Sequence, residues 1–301
     1  MDTHIELAKM VEQYSSAEGM HPTAIPRLHL IRSSTVTEPL HALHVPAVCL
    51  IAQGRKQVML GPQLFEYDPA KYLVVAVDAP IVAHVTQASA DKPYLCVRLD
   101  LDPTLLGQLM LEAGTGAAPN ASVSQSLQLS TVTPELVDAF VRLVKLLGQP
   151  KDIPVLAPLA EREILYRLLL GEQGERLKQI AVAESKVQQV NRAIGWIKKN
   201  YREPFSIESV AAEARMSASA LHAHFKAVTA MSPLQYQKQL RLQEARRLLL
   251  INAADAATAG HRVGYDSPSQ FSREYARTFG LPPVRDIARM KSMPPELLGL
   301  N

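Results

Sequence analysis

The sequence predicts an α+β protein of two units. Residues 1–184 read as a small β-barrel with appended helices, and residues 185–301 as an all-α unit of two helix-turn-helix motifs joined by a long helix. Three observations predict this. The first is a repeat: Met216-Ser217-Ala218-Ser219-Ala220-Leu221-His222-Ala223-His224-Phe225-Lys226 is matched by Tyr265-Asp266-Ser267-Pro268-Ser269-Gln270-Phe271-Ser272-Arg273-Glu274-Tyr275. Ser217 and Ser267, Leu221 and Phe271, and Phe225 and Tyr275 each stand 50 residues apart. A serine cap followed by apolar residues four apart is a short helix, and two such helices behind tight turns are two helix-turn-helix units. The second is texture, strand-like runs between Leu28 and Leu101 giving way to helical periodicity. The third is charge. From Ser185 onward 17 Lys and Arg face 9 Asp and Glu, +8 in all, while the rest of the chain carries −5. That asymmetry confines any contact with a polyanion to the C-terminal unit.

In chain order, Ile5 to Tyr14 is a short leading helix. Ala47 to Ala52, Lys56 to Leu60, Tyr72 to Val77 and Tyr94 to Leu99 are strands. Gln53-Gly54, Gly61-Pro62, Asp68-Pro69, Ala79-Pro80 and Asp91-Lys92-Pro93 read as the turns between them. Leu105 to Ala113 is a helix, and Gly114 to Ser130 a polar connection. Thr133 and Pro134 cap and start the next helix, Gly148 stops it, and Leu136, Phe140, Leu143, Val144 and Leu147 share its face. Another helix runs from about Pro158 to Leu170. These two helices are expected either to pack on the barrel or to pair with a second subunit. Gly174 to Glu184 reads as a linker. In the C-terminal unit Val187, Val190, Ile194 and Ile197 form the stripe of the first helix, and Ser206 caps the second. Ala211 and Ala212 are small enough for close packing. Pro233 to Leu250 is the long joining helix, the second motif starts at Asp255, and a last helix runs from about Val284.

Several classes are excluded. A chain of 301 residues with 47% hydrophobic and 20% charged residues is a soluble globular composition, and its length exceeds one ordinary core. Met1-Asp2-Thr3-His4-Ile5-Glu6 is not a secretory signal. The most apolar run, Leu73 to Val85, is interrupted by Asp78 and Pro80 and is too short to span a bilayer. The two cysteines make no disulfide framework. A cytoplasmic protein without membrane attachment is expected. No Gly-rich phosphate loop, Ser-His-Asp order or Cys-x-x-Cys pair is present, so no catalytic residue, cofactor or metal is expected.

The C-terminal hundred residues resemble the AraC/XylS-type transcription regulators. The resemblance rests on Met216-Ser217-x-Ser219-x-Leu221-x-x-x-Phe225-Lys226, Ser232-Pro233, Arg241-Leu242-x-x-Ala245-x-x-Leu248-Leu249, Gly264-Tyr265-x-Ser267-x-Ser269-x-Phe271-Ser272-Arg273-x-Tyr275, and Phe279-Gly280-x-x-Pro283. Leu43 to Asp102 resembles the cupin-like N-terminal domain of one AraC subgroup, through Gln53-Gly54-Arg55-Lys56, Tyr67-Asp68-Pro69, Tyr72-Leu73-Val74 and Pro93-Tyr94-Leu95. The resemblance implies sequence-specific binding of double-stranded DNA and sensing of a small-molecule effector. It also implies a homodimer and RNA polymerase as further partners. Arg215 and Ala230 depart from the pattern, standing where the family usually has Gly. Gly260 replaces the usual small Ala.

With Leu221 and Phe225 inward, Ser219, His222 and Ala223 face outward to base edges. With Phe271 and Tyr275 inward, Ser269, Gln270, Ser272 and Arg273 do so. Arg on guanine and Gln on adenine are the informative pairings, so the second motif carries more readout than the first. Lys226, Arg246, Arg247, Arg262 and Arg277 are assigned to phosphate. In the N-terminal unit His44, Tyr67, His84, Tyr94 and Arg98 are the candidate effector contacts. Cys49 and Cys96 read either as small buried hydrophobes or as a thiol sensor. The competing class is a cupin-type metalloenzyme, or a small-molecule carrier, fused to a helical partner-binding module. Its ligands would be His41, His44, Glu66 and His84. The His41-x-x-His44 spacing opposes it, since residues three apart on a strand face opposite ways.

Overall fold

The computed structural model describes residues 3–115, 125–182, 185–251 and 254–292. Helix α1 (Thr3–Tyr14) leads into ten strands: β1 (Gly19–Pro22), β2 (Leu28–Ser33), β3 (Leu40–His44), β4 (Ala47–Gln53), β5 (Arg55–Leu60), β6 (Gln63–Tyr67), β7 (Lys71–Val75), β8 (Ala79–Gln87), β9 (Tyr94–Asp100) and, after α2 (Pro103–Glu112), β10 (Leu127–Thr131). They form two antiparallel sheets, a six-stranded one in the order β1-β2-β9-β4-β7-β10 and a four-stranded one in the order β3-β8-β5-β6. The four strands expected by name are β4, β5, β7 and β9. Two expectations are corrected. Ala79-Pro80 opens β8 rather than turning, with Pro80 opposite Leu43 of β3. The expected polar connection ends in β10, which pairs with β7; its residues 116–124 lie outside the described residues.

Both faces of the large sheet are covered, which explains the unbroken apolar runs. On β4 the residues alternate: Val48, Leu50 and Ala52 enter the core beneath the helices, while Cys49 and Ile51 enter the core between the sheets. On β9, Leu95, Val97 and Leu99 take the first side, and Tyr94 and Cys96 the second. Period-two side chains on a doubly covered strand give continuous hydrophobicity rather than alternation.

Helix α3 (Pro134–Lys145) starts at the Thr133 cap, whose hydroxyl accepts the Leu136 N–H, and ends in a 3-10 turn at Leu146–Gly148. Helix α4 (Ile153–Leu170) begins five residues before the expected Pro158. Pro154 already occupies its first turn, and Pro158 lies within it. Residues 174–181 are not a linker. They form α5 (Gly174–Ala181), with Leu177 and Ile180 buried, and residues 183–184 lie outside the described residues. Gly174 permits the packing, because a Cβ there would stand 2.0 Å from the Leu169 carbonyl oxygen.

The second unit contains α6 (Lys186–Asn200), α7 (Ile207–Ala214), α8 (Ala218–Thr229), α9 (Pro233–Leu250), α10 (Ala256–Arg262), α11 (Pro268–Phe279) and α12 (Pro283–Lys291). Ser185, Ser206, Ser217, Ser232, Asp255 and Ser267 cap six of them. Each side-chain oxygen takes an N–H that the first helical turn leaves without a partner. Ala211 is buried as expected, but Ala212 faces solvent.

The two units share surface. Core residues of α6 to α9, including Val187, Ile194, Val210, Phe225 and Tyr236, join the core that underlies the large sheet. Tyr236 donates its hydroxyl to the Asp78 carbonyl at 3.0 Å, and Ser126 donates its N–H to the Val228 carbonyl at 2.8 Å. Lys198 pairs with Asp78, and Arg289 with Glu38 at 2.7 Å.

Candidate nucleic-acid interface and barrel cavity

Each helix-turn-helix is built by a cap, a tight turn and a buried apolar stripe. In the first, α7 ends at Arg215, whose φ of 54° is left-handed, and Ser217 then caps α8. In the second, Gly264 supplies the left-handed turn at φ 92°, and a Cβ there would stand 2.3 Å from the Arg202 carbonyl. The left-handed residue is two before the cap in the first motif and three before it in the second, so the repeat slips by one within the turn. A side chain at positive φ costs about 1–2 kcal/mol, which falls on Arg215 and on Ala230, at φ 60°, but not on Gly264 and Gly280.

Leu221 and Phe225 are fully buried, which turns Ser219, His222, Ala223 and Lys226 to solvent. Phe271 and Tyr275 do the same on α11, leaving Ser269, Gln270 and Arg273 exposed and Ser272 half-buried. Gln270 donates to Glu274 at 3.3 Å, so one of its amide hydrogens is shared within the helix. Arg262, Arg277 and Arg247 are exposed, and Arg247 forks onto Glu244 at 2.8 Å.

Arg246 does not fit the phosphate assignment. It is 7% exposed and binds the fully buried Asp286 through Nε at 2.8 Å and Nη2 at 2.9 Å. The Tyr275 hydroxyl donates to the same carboxylate at 2.8 Å. Arg246 also lies over the Phe279 ring at 4.4 Å. Its place on the inner side of α9 makes it the tie between α9, α11 and α12. Arg241 plays a corresponding part that spacing did not reveal. Its guanidinium donates to the carbonyls of Tyr201, Arg202, Glu203 and Gly264, fixing the start of the first motif against the turn of the second.

A cavity of about 420 Å³ opens between the two sheets on the side of the second unit. Of the expected contacts His44, His84, Tyr94 and Arg98 line it, together with Cys49 and Cys96. Tyr67 is not in its wall; it is buried in the core between the sheets. The wall also includes Arg32, His41 and Lys56 of the barrel and Gln243, Arg246, Arg247, Leu250 and Met290 of the C-terminal unit. Sequence reasoning missed this second group, since only the docking of α9 and α12 brings it near the barrel. Among the described residues no aspartate or glutamate lines the cavity. Among the described residues three nitrogens or oxygens in its wall, His84 Nδ1, Gln243 Nε2 and the hydroxyl of the fully buried Tyr94, have no partner at hydrogen-bonding geometry, although Tyr67 and Cys96 stand close to the last.

The cupin ligand set is not assembled. His41 packs edge-on against Phe279 at 4.9 Å, His44 turns to Cys49, and Glu66 pairs with Arg55 and Gln57. Among the described residues no cluster of three or more His, Cys, Asp or Glu is placed to hold a metal ion. No described helix is long and apolar enough to cross a membrane.

The family described as AraC-type transcriptional regulator N-terminus matches residues 24–176, and a helix-turn-helix domain family matches residues 210–288. The HTH-type transcriptional activator RhaS of Pectobacterium carotovorum is 30% identical over 125 residues, 42% of this chain and 45% of that protein. RhaS of Escherichia coli is 29% identical over 147 residues, 48% of this chain and 52% of that protein. The chain thus spans about half the length of the curated relatives it matches. Among solved structures, ToxT from Vibrio cholerae with a bound unsaturated fatty acid superposes at a TM-score of 0.54, with 8% identity, covering 87% of this chain and 93% of ToxT. ToxT bound to a methylnaphthalenyl butenoic acid superposes at 0.55, with 10% identity, covering 87% and 97%. At these identities the likeness is one of fold.

Proposed function

Because the chain belongs to the AraC-type transcriptional regulators, we propose that it binds specific double-stranded DNA through α8 and α11 and regulates transcription in response to a small molecule held in the barrel cavity. The observation that carries this is the pair of capped helices, each with its apolar stripe buried and its polar face open. In this reading the protein is a cytoplasmic regulator, not an enzyme, and the barrel senses rather than turns over its ligand. Among the described residues the wall is apolar and holds no carboxylate, and its arginines pair with acidic side chains outside it, which suits a compact apolar molecule whose polar end is neutral or anionic. The acids held by the ToxT structures share that character. Because α9 and α12 form part of the wall, an occupant touches both the barrel and the scaffold of the second motif.

A homodimer accords with the stripe of Val155, Leu159, Tyr166 and Leu170 along α4, all exposed. In this reading helix α4 packs on α2, α3 and α5 with one face and leaves another for a second copy.

DNA binding measured by fluorescence anisotropy across a salt series tests the main reading. A specific site should be bound with affinity that falls steeply with salt, because phosphate neutralisation releases counterions. Equal affinity for all sequences, or none, would overturn it.

A further inference from the structure

We propose that Cys49 is a nucleophile that captures soft electrophiles, α,β-unsaturated carbonyl compounds, inside the barrel cavity, with His44 as its proton acceptor. The inference rests on the regulator reading only for its consequence on DNA; the chemistry stands on the cavity itself.

The geometry starts at His44. Its Nδ1 lies 2.8 Å from the Val45 carbonyl oxygen, which can only accept a hydrogen bond. The imidazole proton is therefore on Nδ1, and Nε2 presents its lone pair to the Cys49 sulfur 3.6 Å away. A base oriented by a second hydrogen bond beside a thiol is the arrangement that activates cysteine. Cys96 stands on the neighbouring strand, where Cys49 is opposite Arg98 and Cys96 opposite Ile51, so the two sulfurs share one face of the sheet. Both line the cavity. The cavity also receives the fully buried hydroxyl of Tyr94, which stands beside the Cys96 sulfur and the Tyr67 hydroxyl.

The groups around Cys49 divide the pair. The Cys96 thiol donates to the Val97 carbonyl at 3.5 Å, and its sulfur adjoins Cys49; that contact, with His44 and Arg98, outweighs burial and holds the Cys49 thiol well below its ordinary value. The same contact, with burial, pushes Cys96 well above its own. Tyr67 and Tyr94, the other titratable groups facing Cys49, are both raised by burial and stay neutral donors. One sulfur is thus prepared to be a thiolate, and the other to remain a thiol.

The step balances without a co-reactant. Cys49 gives its proton to His44 Nε2, and the sulfur forms a bond to the β-carbon of the electrophile. The C=C electron pair moves toward the carbonyl as an enolate, in a wall that holds Arg98 and Lys56 and no described carboxylate. His44 then returns the proton to the α-carbon, leaving a thioether. The adduct fills space bordered by Gln243, Arg246 and Leu250, so it presses on α9.

The test uses the full-length chain and methyl vinyl ketone, followed by intact mass and peptide mapping. A single adduct on Cys49 is expected, forming on the order of tenfold faster than on Cys96 and faster than in the urea-unfolded chain, with a pH–rate midpoint below that of an ordinary thiol. His44→Asn should slow it and raise the midpoint. Modification of Cys96 first, or equal rates and midpoints in native and unfolded chains, overturns the proposal; this comparison needs no variant to fold. Cys49→Ser should melt like the parent and stay unlabelled. DNA affinity of the unmodified chain is measured alongside. If that chain binds no DNA while Cys49 labels as described, the regulator reading fails and the thiol chemistry stands.

Discussion

Arg273 and Arg246 show how differently two arginines of one DNA-reading unit are used. Arg273 is exposed on α11, less than two turns from the Ser267 cap, where a side chain reaches base edges. Arg273→Ala should cost about 1–3 kcal/mol on the cognate site and relax preference at one base pair. Lys226→Ala should weaken all sequences alike and lower the salt slope by about one. Binding-site selection with both variants checks the ranking, and an Arg273→Ala profile identical to the parent would refute it. Arg246 belongs to the fold instead. Asp286→Ala would leave its guanidinium buried without a counter-charge, which should cost about 3–5 kcal/mol in urea denaturation. A loss near zero would mean that the pair is solvated in solution. Residue type alone does not separate these two arginines; the side of the helix each occupies does.

At the scale of elements, what was legible in the sequence followed from local chemistry. Caps, glycine stops and apolar stripes placed α3, α8, α9 and α11 because each acts within a few residues. What was not legible depended on distant partners. Strand β8 opens with Ala79-Pro80, a turn signal, and is a strand because β3 and β5 flank it. Strand β10 needs β7, about fifty residues back, and α5 needs the floor that Leu169 provides. The cavity was half legible. The barrel side showed as polar residues on strands, whereas Gln243, Leu250 and Met290 enter only through docking. Gly260 illustrates the same limit. It stands where the resemblance expects Ala, and a Cβ there would meet the Phe271 side chain at 3.0–3.3 Å. Phe271 is held between Tyr265 and Tyr275, with centroids at 5.4 and 5.6 Å, so it has little room to yield. Gly260→Ala should therefore destabilise the second motif by about 1–3 kcal/mol, despite alanine's better helix propensity. Thermal denaturation decides the sign, and a raised melting temperature would show that the aromatic stripe can shift.

For the whole molecule the informative group is His41, where the barrel meets the second motif. Its ring stands edge-on to Phe279 of α11, beside the Arg246–Asp286 pair. Burial, then the positive charge of Arg246, lowers its pKa from 6.5 to about 4, with Asp286 opposing. Between those values the unfolded chain binds a proton at this site and the folded chain does not. Stability therefore rises with pH across this window and is lost as pH falls from 6.5 toward about 4. The same proton should favour any arrangement in which the barrel and α11 part, because His41 then regains water and its ordinary pKa. His41→Gln removes the titration but keeps a polar side chain of similar reach. Denaturation of parent and variant from about pH 7 to about pH 4.5 should show the parent losing more stability than the variant as acid is added. Hydrogen exchange at the α11 amides should rise over the same interval in the parent alone. Parallel stability curves would mean that His41 is solvated, and that the contact with Phe279 does not hold the two units together in solution.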